Sequence, residues 1–451
     1  MKILFVNVSK NWNGRVYPEY PIGIGILATM ARDAGHEIKI FDMAVTDASL
    51  AEAVTAFSPD VTALSFLSTS ATTAAEAIGL LRGVDSGILV AGGIHTSIFP
   101  VDVLNMGVDF SLTGEGELNF LPLMDVLAKK KTAFSMEDLR HIPNLVFKDA
   151  FSKVLQTPPA SESVDLTASG WIDRDLFDLA LYPHHTVMTS RGCPYKCKFC
   201  CSWGPGGKRG RMASPERIMA ELECLVDRYG AITVYWADDM FFFKKKDRIR
   251  FCEMIIERQL PVKWIAQLRA DSLDDELAAY LVKAGCEKIC IGAESGSDRV
   301  LEQINKRTKI ADIKRGIQIA KAAGIRVKTW WITGLPGSTL AEEYSALDAI
   351  EESMPNEVAI HTFVPLPGTE YWDKADEYGI GKPSMDELEK LFYYGKPGEI
   401  KLDYISKDEM TNVILAFNSK LQSLGYVPTD QATVDSKYVY TSPLQSKTFA
   451  I

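Results

Sequence analysis

The chain has 451 residues, 47% of them hydrophobic and 24% charged, with a formal net charge of -10. That length predicts two or three domains, and the acidic balance argues against a broad nucleic-acid surface, which needs a basic excess. No apolar run approaches the roughly 20 residues of a membrane-spanning helix, and the N-terminus enters a strand with no signal-peptide organisation, so a cytoplasmic protein with reduced thiols is expected.

From residue 2 to about 130, short apolar runs alternate with helical stretches. Strands are predicted over residues 2–7, 37–41, 61–66, 87–91 and 109–112, and helices over 22–34, 49–57, 72–82, 100–106 and 118–127. This alternation implies an α/β domain with a parallel, doubly wound sheet of Rossmann-like type. Ligands bind such sheets beyond the carboxyl ends of the strands. Those ends hold small residues here: Ser65 to Ser70, then Gly92-Gly93, then Gly114-Glu115-Gly116. Glycines let a ligand approach the backbone closely; equally, they serve tight turns alone. Gly23-Ile24-Gly25 is no dinucleotide fingerprint, because it lacks a third glycine and does not directly follow the first strand.

Periodicity weakens beyond this domain. Residues 144–147 and 153–156 read as a hairpin about Lys148-Asp149-Ala150, and Thr157-Pro158-Pro159 as a loop. The expected division is 1–135 for the first domain, 136–183 for a connector, 184–375 for a second α/β domain and 376–451 for a small, mainly helical C-terminal cap region. In the second domain strands are predicted over 185–188, 232–236, 262–267, 288–292, 326–332 and 357–363. Helices fall between them, the first opened by Ser214-Pro215, a good N-cap and first helical residue. Six βα units predict a parallel part-barrel with its active site at the strand ends. A further helix is expected over 407–424.

The first of those strands leads into Cys193-Pro194-Tyr195-Lys196-Cys197-Lys198-Phe199-Cys200-Cys201. Thiolates at spacings of four and three can be turned toward one point and hold an iron–sulfur cluster. Three ligands for a cube of four irons leave one iron open to a small molecule. A structural zinc knuckle is the alternative, but it needs a second clip, and Cys224, Cys252, Cys286 and Cys290 form none. Cys201 offers an alternative third ligand to Cys200.

Cys193, Cys197, Phe199 and Cys200 fall on the CxxxCx(aromatic)C signature, and this stretch resembles the radical S-adenosylmethionine (SAM) superfamily. The resemblance implies a [4Fe–4S] cluster, SAM on the open iron, and cleavage of SAM to a 5′-deoxyadenosyl radical that takes hydrogen from a small-molecule substrate. It also implies an electron donor of flavodoxin or ferredoxin type, or a dedicated reductase. Strand-end runs match further superfamily motifs in order. By position, Asp238 or Asp239 falls where the methionine amino group is met, and Gln267 and Arg269 where polar groups meet SAM. Glu294 and Ser295 fall at the ribose, and Gly334 near the adenine. A helix cap or buried salt bridge is the alternative for each, and the preferred reading for Asp271. Lys208, Arg209 and Arg211 read either as an anion contact or as a solvated face.

The first domain is similar to the cobalamin-binding domain that precedes many radical SAM domains, on Pro21 to Ala28, Gly35-His36-Glu37, Ala91-Gly92-Gly93-Ile94-His95 and Gly114-Glu115-Gly116-Glu117. It lacks the DxHxxG motif, so no histidine from that motif is available to cobalt. By this resemblance Ser65, Gly92, Gly93, Gly114, Glu115 and Gly116 are the expected cobalamin-facing residues. A domain that has lost its cofactor is the alternative. The leading expectation is a cobalamin-dependent C-methylase of a small metabolite or natural-product intermediate. The alternative is a radical SAM dehydratase, cyclase or rearrangement enzyme without methyl transfer, in which His361 is a candidate for managing protons. A non-catalytic sensor is the third reading. Trp236, nearest a strand end among the tryptophans, is a candidate to line the substrate cavity.

Overall fold

Alternating apolar strands and amphipathic helices build two α/β units, Met1–Pro183 and His184–Ile451. They are seen here in a computed structural model that describes residues 1–9, 19–130, 133–182, 184–202, 210–394, 399–428 and 437–441.

In the first unit β1 (Lys2–Asn7), β2 (Glu37–Asp42), β3 (Val61–Ser65), β4 (Ile88–Gly92) and β5 (Phe110–Leu112) run parallel. β6 (Leu145–Lys148) and β7 (Val154–Gln156) join antiparallel, giving the order β2-β1-β3-β4-β5-β6-β7. Successive side chains of a strand point to opposite faces. Ile3 and Phe5 of β1 therefore pack with Ala28, Phe120 and Leu123 on one side, and Leu4 and Val6 with Val54, Ile78 and Val103 on the other. Burial on both faces explains why these strands read as continuous apolar runs. The order reverses between β1 and β3, the topological switch point where open α/β sheets bind ligands.

The expected hairpin forms as β6 and β7, its turn held by Asp149, whose Oδ1 accepts from Phe151 and Lys153 N–H at 2.9 Å each. It extends the first sheet rather than standing apart. Residues further along also pack back: a Cβ on Gly25 would stand 2.8 Å from Ile172 Cγ2, so this glycine is what admits Ile172. The Asp173 N–H donates to Thr29 Oγ1 at 2.9 Å.

The second unit begins with β8 (His185–Val187) and a short antiparallel ribbon, β9 (Ser190–Arg191) with β10 (Arg211–Met212). β11 (Thr233–Trp236), β12 (Lys263–Gln267), β13 (Cys286–Glu294), β14 (Arg326–Thr333) and β15 (Glu357–Thr362) follow, and with β8 they make six parallel strands in the order β8-β11-β12-β13-β14-β15. The sheet is open, as a part-barrel. β16 (Val427–Pro428) and β17 (Lys437–Thr441) add antiparallel beyond β15, an extension the sequence pattern did not reveal. The Ser214 cap forms as expected, its side chain accepting from Arg217 N–H. A helix over Met385–Tyr394 joins Lys407–Ser423 in the C-terminal region. Among the described residues no helix is long and apolar enough to cross a membrane.

Trp236 does not line a cavity. It is fully buried, edge-on to Phe251 and Trp264. On β14 Trp331 is buried, with Nε1 donating to Thr329 Oγ1 at 3.0 Å, while Trp330 takes the opposite face and lines a cavity.

His95, in the short helix Ile94–Ile98 after β4, is 1% exposed. Its ring lies against Phe66 and Phe99, and Nδ1 hydrogen-bonds Ser68 Oγ at 3.0 Å. Burial pulls its pKa from 6.5 to about 4, against the pull of Asp102. The unfolded chain thus takes up this proton at higher pH than the folded chain. The associated stability is present above 6.5 and is lost as pH falls from there to about 4, a span worth roughly 3 kcal/mol. Urea unfolding of the first unit at pH 7.5 and pH 4.5 should show this loss, and His95→Phe should flatten the difference.

Candidate active site

The cysteine loop leaves β9 through Gly192, whose φ of 72° places it in the left-handed region. Asp238, just past β11, fixes the start of the loop. It is 2% exposed, and its carboxylate accepts from Thr189 N–H (2.7 Å), Thr189 Oγ1 (2.8 Å), Ser190 N–H (2.7 Å) and Ser190 Oγ (3.0 Å). Burial pushes its pKa up to about 7 against these four bonds. Of the two candidate carboxylates, Asp238 is therefore committed to the protein's own backbone and hydroxyls. Asp239 accepts from Ser202 Oγ at 2.6 Å, and its charge acts on the thiols of Cys193, Cys200 and Cys201.

All eight cysteines are free thiols. Cys193, Cys197 and Cys201 each feel the charge of Cys200. Burial raises the pKa of Cys193, Cys197 and Cys200, that of Cys197 to about 11, and the Lys306 ammonium opposes the rise in each. Among the described residues no three His, Cys, Asp or Glu side chains converge as a single metal ion requires. The donors of the loop are cysteine sulfurs, with no His, Asp or Glu from Cys193 to Cys201, and such a donor set fits an iron–sulfur cluster.

Residues 304–307 brace the loop from the other side. Lys198 N–H donates to Ile304 O at 3.0 Å, Asn305 Nδ2 to Lys196 O at 2.6 Å, and Cys197 Sγ to Asn305 O at 3.8 Å. Arg269 grips Asp271 bidentately at 3.0 and 2.7 Å and donates to the carbonyls of Lys306 and Arg307. Its guanidinium lies 3.8 Å from the ring centre of Tyr195. Arg269, expected to meet SAM, is thus spent on the fold, and Asp271 serves in a salt bridge. Lys306, which no sequence motif singled out, donates from Nζ to Glu294 Oε1 at 2.7 Å. Burial lowers its pKa, but Glu294 and Cys197 raise it, and the balance lies above the ordinary value.

Glu294 ends β13 at a register shift with φ of 65°, strained for a residue with a side chain. It faces a cavity of about 290 Å³ lined by Phe199, Trp330, Ile332, His361, Phe363 and Leu391 among others. Phe199, Glu294 and His361 are thus brought together. Ser295 is buried and its Oγ accepts from Ser297 N–H at 3.2 Å. Gln267 donates to Tyr235 Oη at 3.3 Å. Gly334 lies apart from this cavity lining: its N–H donates to Glu343, its carbonyl accepts from Tyr404, and Met410 covers the side a Cβ would occupy. Lys208 and Arg209 lie outside the described residues; Arg211 sits in β10 opposite Arg191.

In the first unit the expected residues collect at the sheet's carboxyl edge. Gly93, at φ 91°, allows Ser65 Oγ to approach within 2.7 Å of where a Cβ would be. Gly116 does the same for Leu27 at 2.8 Å, Gly114 N–H donates to Ser97 Oγ at 2.9 Å, and Glu115 accepts from Val164 N–H at 3.0 Å. Gly92 remains open, with Leu112 O nearest at 3.8 Å. Thr69 Oγ1, His95 Nε2 and Asn119 Oδ1 are buried here without a partner. Orphaned polar atoms beside an open strand end fit a polar cofactor.

The Radical SAM superfamily matches residues 187–350, and the B12 binding domain matches residues 14–123. This chain belongs to the radical SAM superfamily and carries an N-terminal B12 binding domain. It is a radical SAM enzyme, and its cofactor set is a [4Fe–4S] cluster, SAM and cobalamin. It is 29% identical over 406 residues to the uncharacterized methyltransferase PH0819 of Pyrococcus horikoshii, covering 87% of this chain and 86% of the relative. It is 26% identical to the anaerobic magnesium-protoporphyrin IX monomethyl ester cyclase of Rubrivivax gelatinosus, over 75% of this chain and 63% of that one. In fold it is similar to the radical SAM methyltransferase TsrM of Kitasatospora setae, with TM-score 0.72 and 17% identity over 93% of this chain and 88% of that one.

If Asp238 anchors the loop of this radical SAM enzyme, Asp238→Asn leaves some of its four donors facing an amide NH₂, at roughly 1–3 kcal/mol for each. Melting temperature and iron bound after anaerobic reconstitution should both fall. Asp239→Asn should leave the melting temperature close to that of the wild type.

Proposed function

We propose that the chain is a cobalamin-dependent radical SAM methylase that transfers a methyl group to carbon in a small metabolite or natural-product intermediate. One observation carries this reading: a cysteine triad at the strand ends of a part-barrel shares a chain with a B12-type sheet, and methyltransferases are well represented among the relatives. When bound, the cluster with SAM supplies a 5′-deoxyadenosyl radical, and cobalamin supplies the methyl group.

In this reading Cys193, Cys197 and Cys200 hold the cluster, and Cys201 stays a thiol. Phe199, Asp239, Gln267, Glu294 and Ser295 face SAM, while Asp238 and Arg269 act through the loop they brace. The aromatic walls of the cavity, Phe199, Trp330 and Phe363, exclude water from a reacting radical. Ser65, Gly92, Gly93, Gly114, Glu115 and Gly116 form the cobalamin-facing edge. The electron comes from a flavodoxin- or ferredoxin-type protein or a dedicated reductase. The domain division at 135, 183 and 375 belongs to the same proposal.

His361 on the cavity wall favours a second reading, a dehydration, cyclisation or rearrangement without methyl transfer, and the cyclase relatives support it. There His361 or Glu294 moves a proton at the substrate radical. The full chain, reconstituted anaerobically with SAM and reductant, separates the two when products are compared with and without cobalamin. Cobalamin-dependent S-adenosylhomocysteine together with 5′-deoxyadenosine is expected. 5′-Deoxyadenosine alone, indifferent to cobalamin, selects the second reading, and neither product from an intact cluster overturns both. Cys200→Ala should abolish the cluster absorption, and Cys201→Ala should retain it.

A further inference from the structure

An ammonium group stands behind the cysteine loop. Lys306 follows Asn305, whose carbonyl lies 3.8 Å from Cys197 Sγ and whose side chain donates to Lys196 O at 2.6 Å, and its charge bears on Cys193, Cys197 and Cys200. Its side chain is only 12% exposed and pairs with Glu294 at 2.7 Å. The backbone is strained to place it: its neighbours Asn305 and Arg307 have φ of 57° and 53°, and Glu294 has 65°. Left-handed residues with side chains persist only where their surroundings over-determine them. Here Lys306 N–H donates to Leu301 O at 2.9 Å, and Lys306 O accepts from Arg269 Nη1 at 2.8 Å. A Cβ on Gly292 would collide with the Glu294 carboxylate and stand 3.0 Å from Lys306 Nζ, so that glycine leaves room for the pair.

We infer that Lys306 is a positioning residue, a fixed cation that offsets the negative charge gathered at Cys193, Cys197 and Cys200 and so makes the bound cluster easier to reduce. The inference rests on the reading that these cysteines hold the cluster. Three thiolates, with Asp239 and Glu294 beside them, concentrate negative charge in a site of low dielectric. One-electron reduction by the external protein donor adds one more negative charge. A nearby ammonium stabilises the more negative state further than the less negative one. Lysine suits the task as a compact point charge that fits beside Glu294 and Gly292.

The test uses the full chain with Lys306→Met, Lys306→Arg, Glu294→Gln and the double variant Lys306→Met/Glu294→Gln. Each is reconstituted anaerobically, its iron and sulfide are counted, and its cluster is titrated by electron paramagnetic resonance at controlled potential without SAM. Lys306→Met should keep its iron while the midpoint moves to more negative potential. At a fixed potential the ratio of reduced to oxidised cluster should fall roughly tenfold. Lys306→Arg should retain most of the wild-type midpoint. Where Lys306→Met loses its cluster to the unpaired Glu294 carboxylate, the double variant compared with Glu294→Gln should show the same shift. An unchanged midpoint in both comparisons overturns the inference, including the case in which SAM binding weakens. No cluster in the wild-type chain overturns both the inference and the reading beneath it.

Discussion

Three thiols that in the proposed reading meet one cofactor lie on a loop with little regular structure and no disulfide, so another interaction has to fix its backbone. The Asp238 carboxylate does this at the point where β8 gives way to the loop, by accepting both N–H groups and both hydroxyls of Thr189 and Ser190. Bonds to an ionised acceptor are stronger than neutral ones, and burial makes them costly to leave unmade. Topology puts the carboxylate there. β8 and β11 are neighbouring parallel strands, so the end of one stands beside the end of the other. An acidic residue at that point is a brace first.

The opposite side of the loop is held by residues that cost the fold something. Asn305, Arg307 and Glu294 all adopt left-handed backbone. Asn305 tolerates it best among residues with side chains, and its side chain is spent on Lys196 O. Arg269 gathers Asp271, the 306–307 carbonyls and the Tyr195 ring into one knot. The consequence is a loop fixed at its start by an anion and at its middle by a cation and a strained turn. Conformational entropy that cofactor binding would otherwise have to remove is removed on folding.

What the sequence disclosed and what it hid divide along physical lines. Strand and helix positions are local properties, carried by apolar runs and caps such as Ser214-Pro215, and they were legible to within a few residues. The direction of a side chain on a strand was not, since large apolar or aromatic residues stand on both faces of β11 and of β14. Trp236 and Trp330 look alike in the sequence, yet one is core and the other cavity wall. Asp238 and Asp239 are adjacent acids at one strand end, and only the phase of β11 tells which turns inward. Lys306 was invisible for another reason: its partner Glu294 and the cysteines it influences are brought to it by tertiary packing. The β17 extension likewise depends on pairing across the sheet edge rather than on local pattern.

The first unit teaches the same distinction at a site read from glycines. Gly93 and Gly116 first serve close packing, against Ser65 and Leu27, and Glu115 is taken by Val164. Of this group Gly92 alone retains open space. The unspent hydrogen-bonding capacity lies instead with Thr69, His95 and Asn119, buried groups following β3, β4 and β5. Native proteins rarely bury such atoms without partners, and those that persist call for an explanation. The hydrogen-bonding capacity left over at this edge therefore belongs to a hydroxyl, an imidazole and an amide, and the glycines set the turns that carry them.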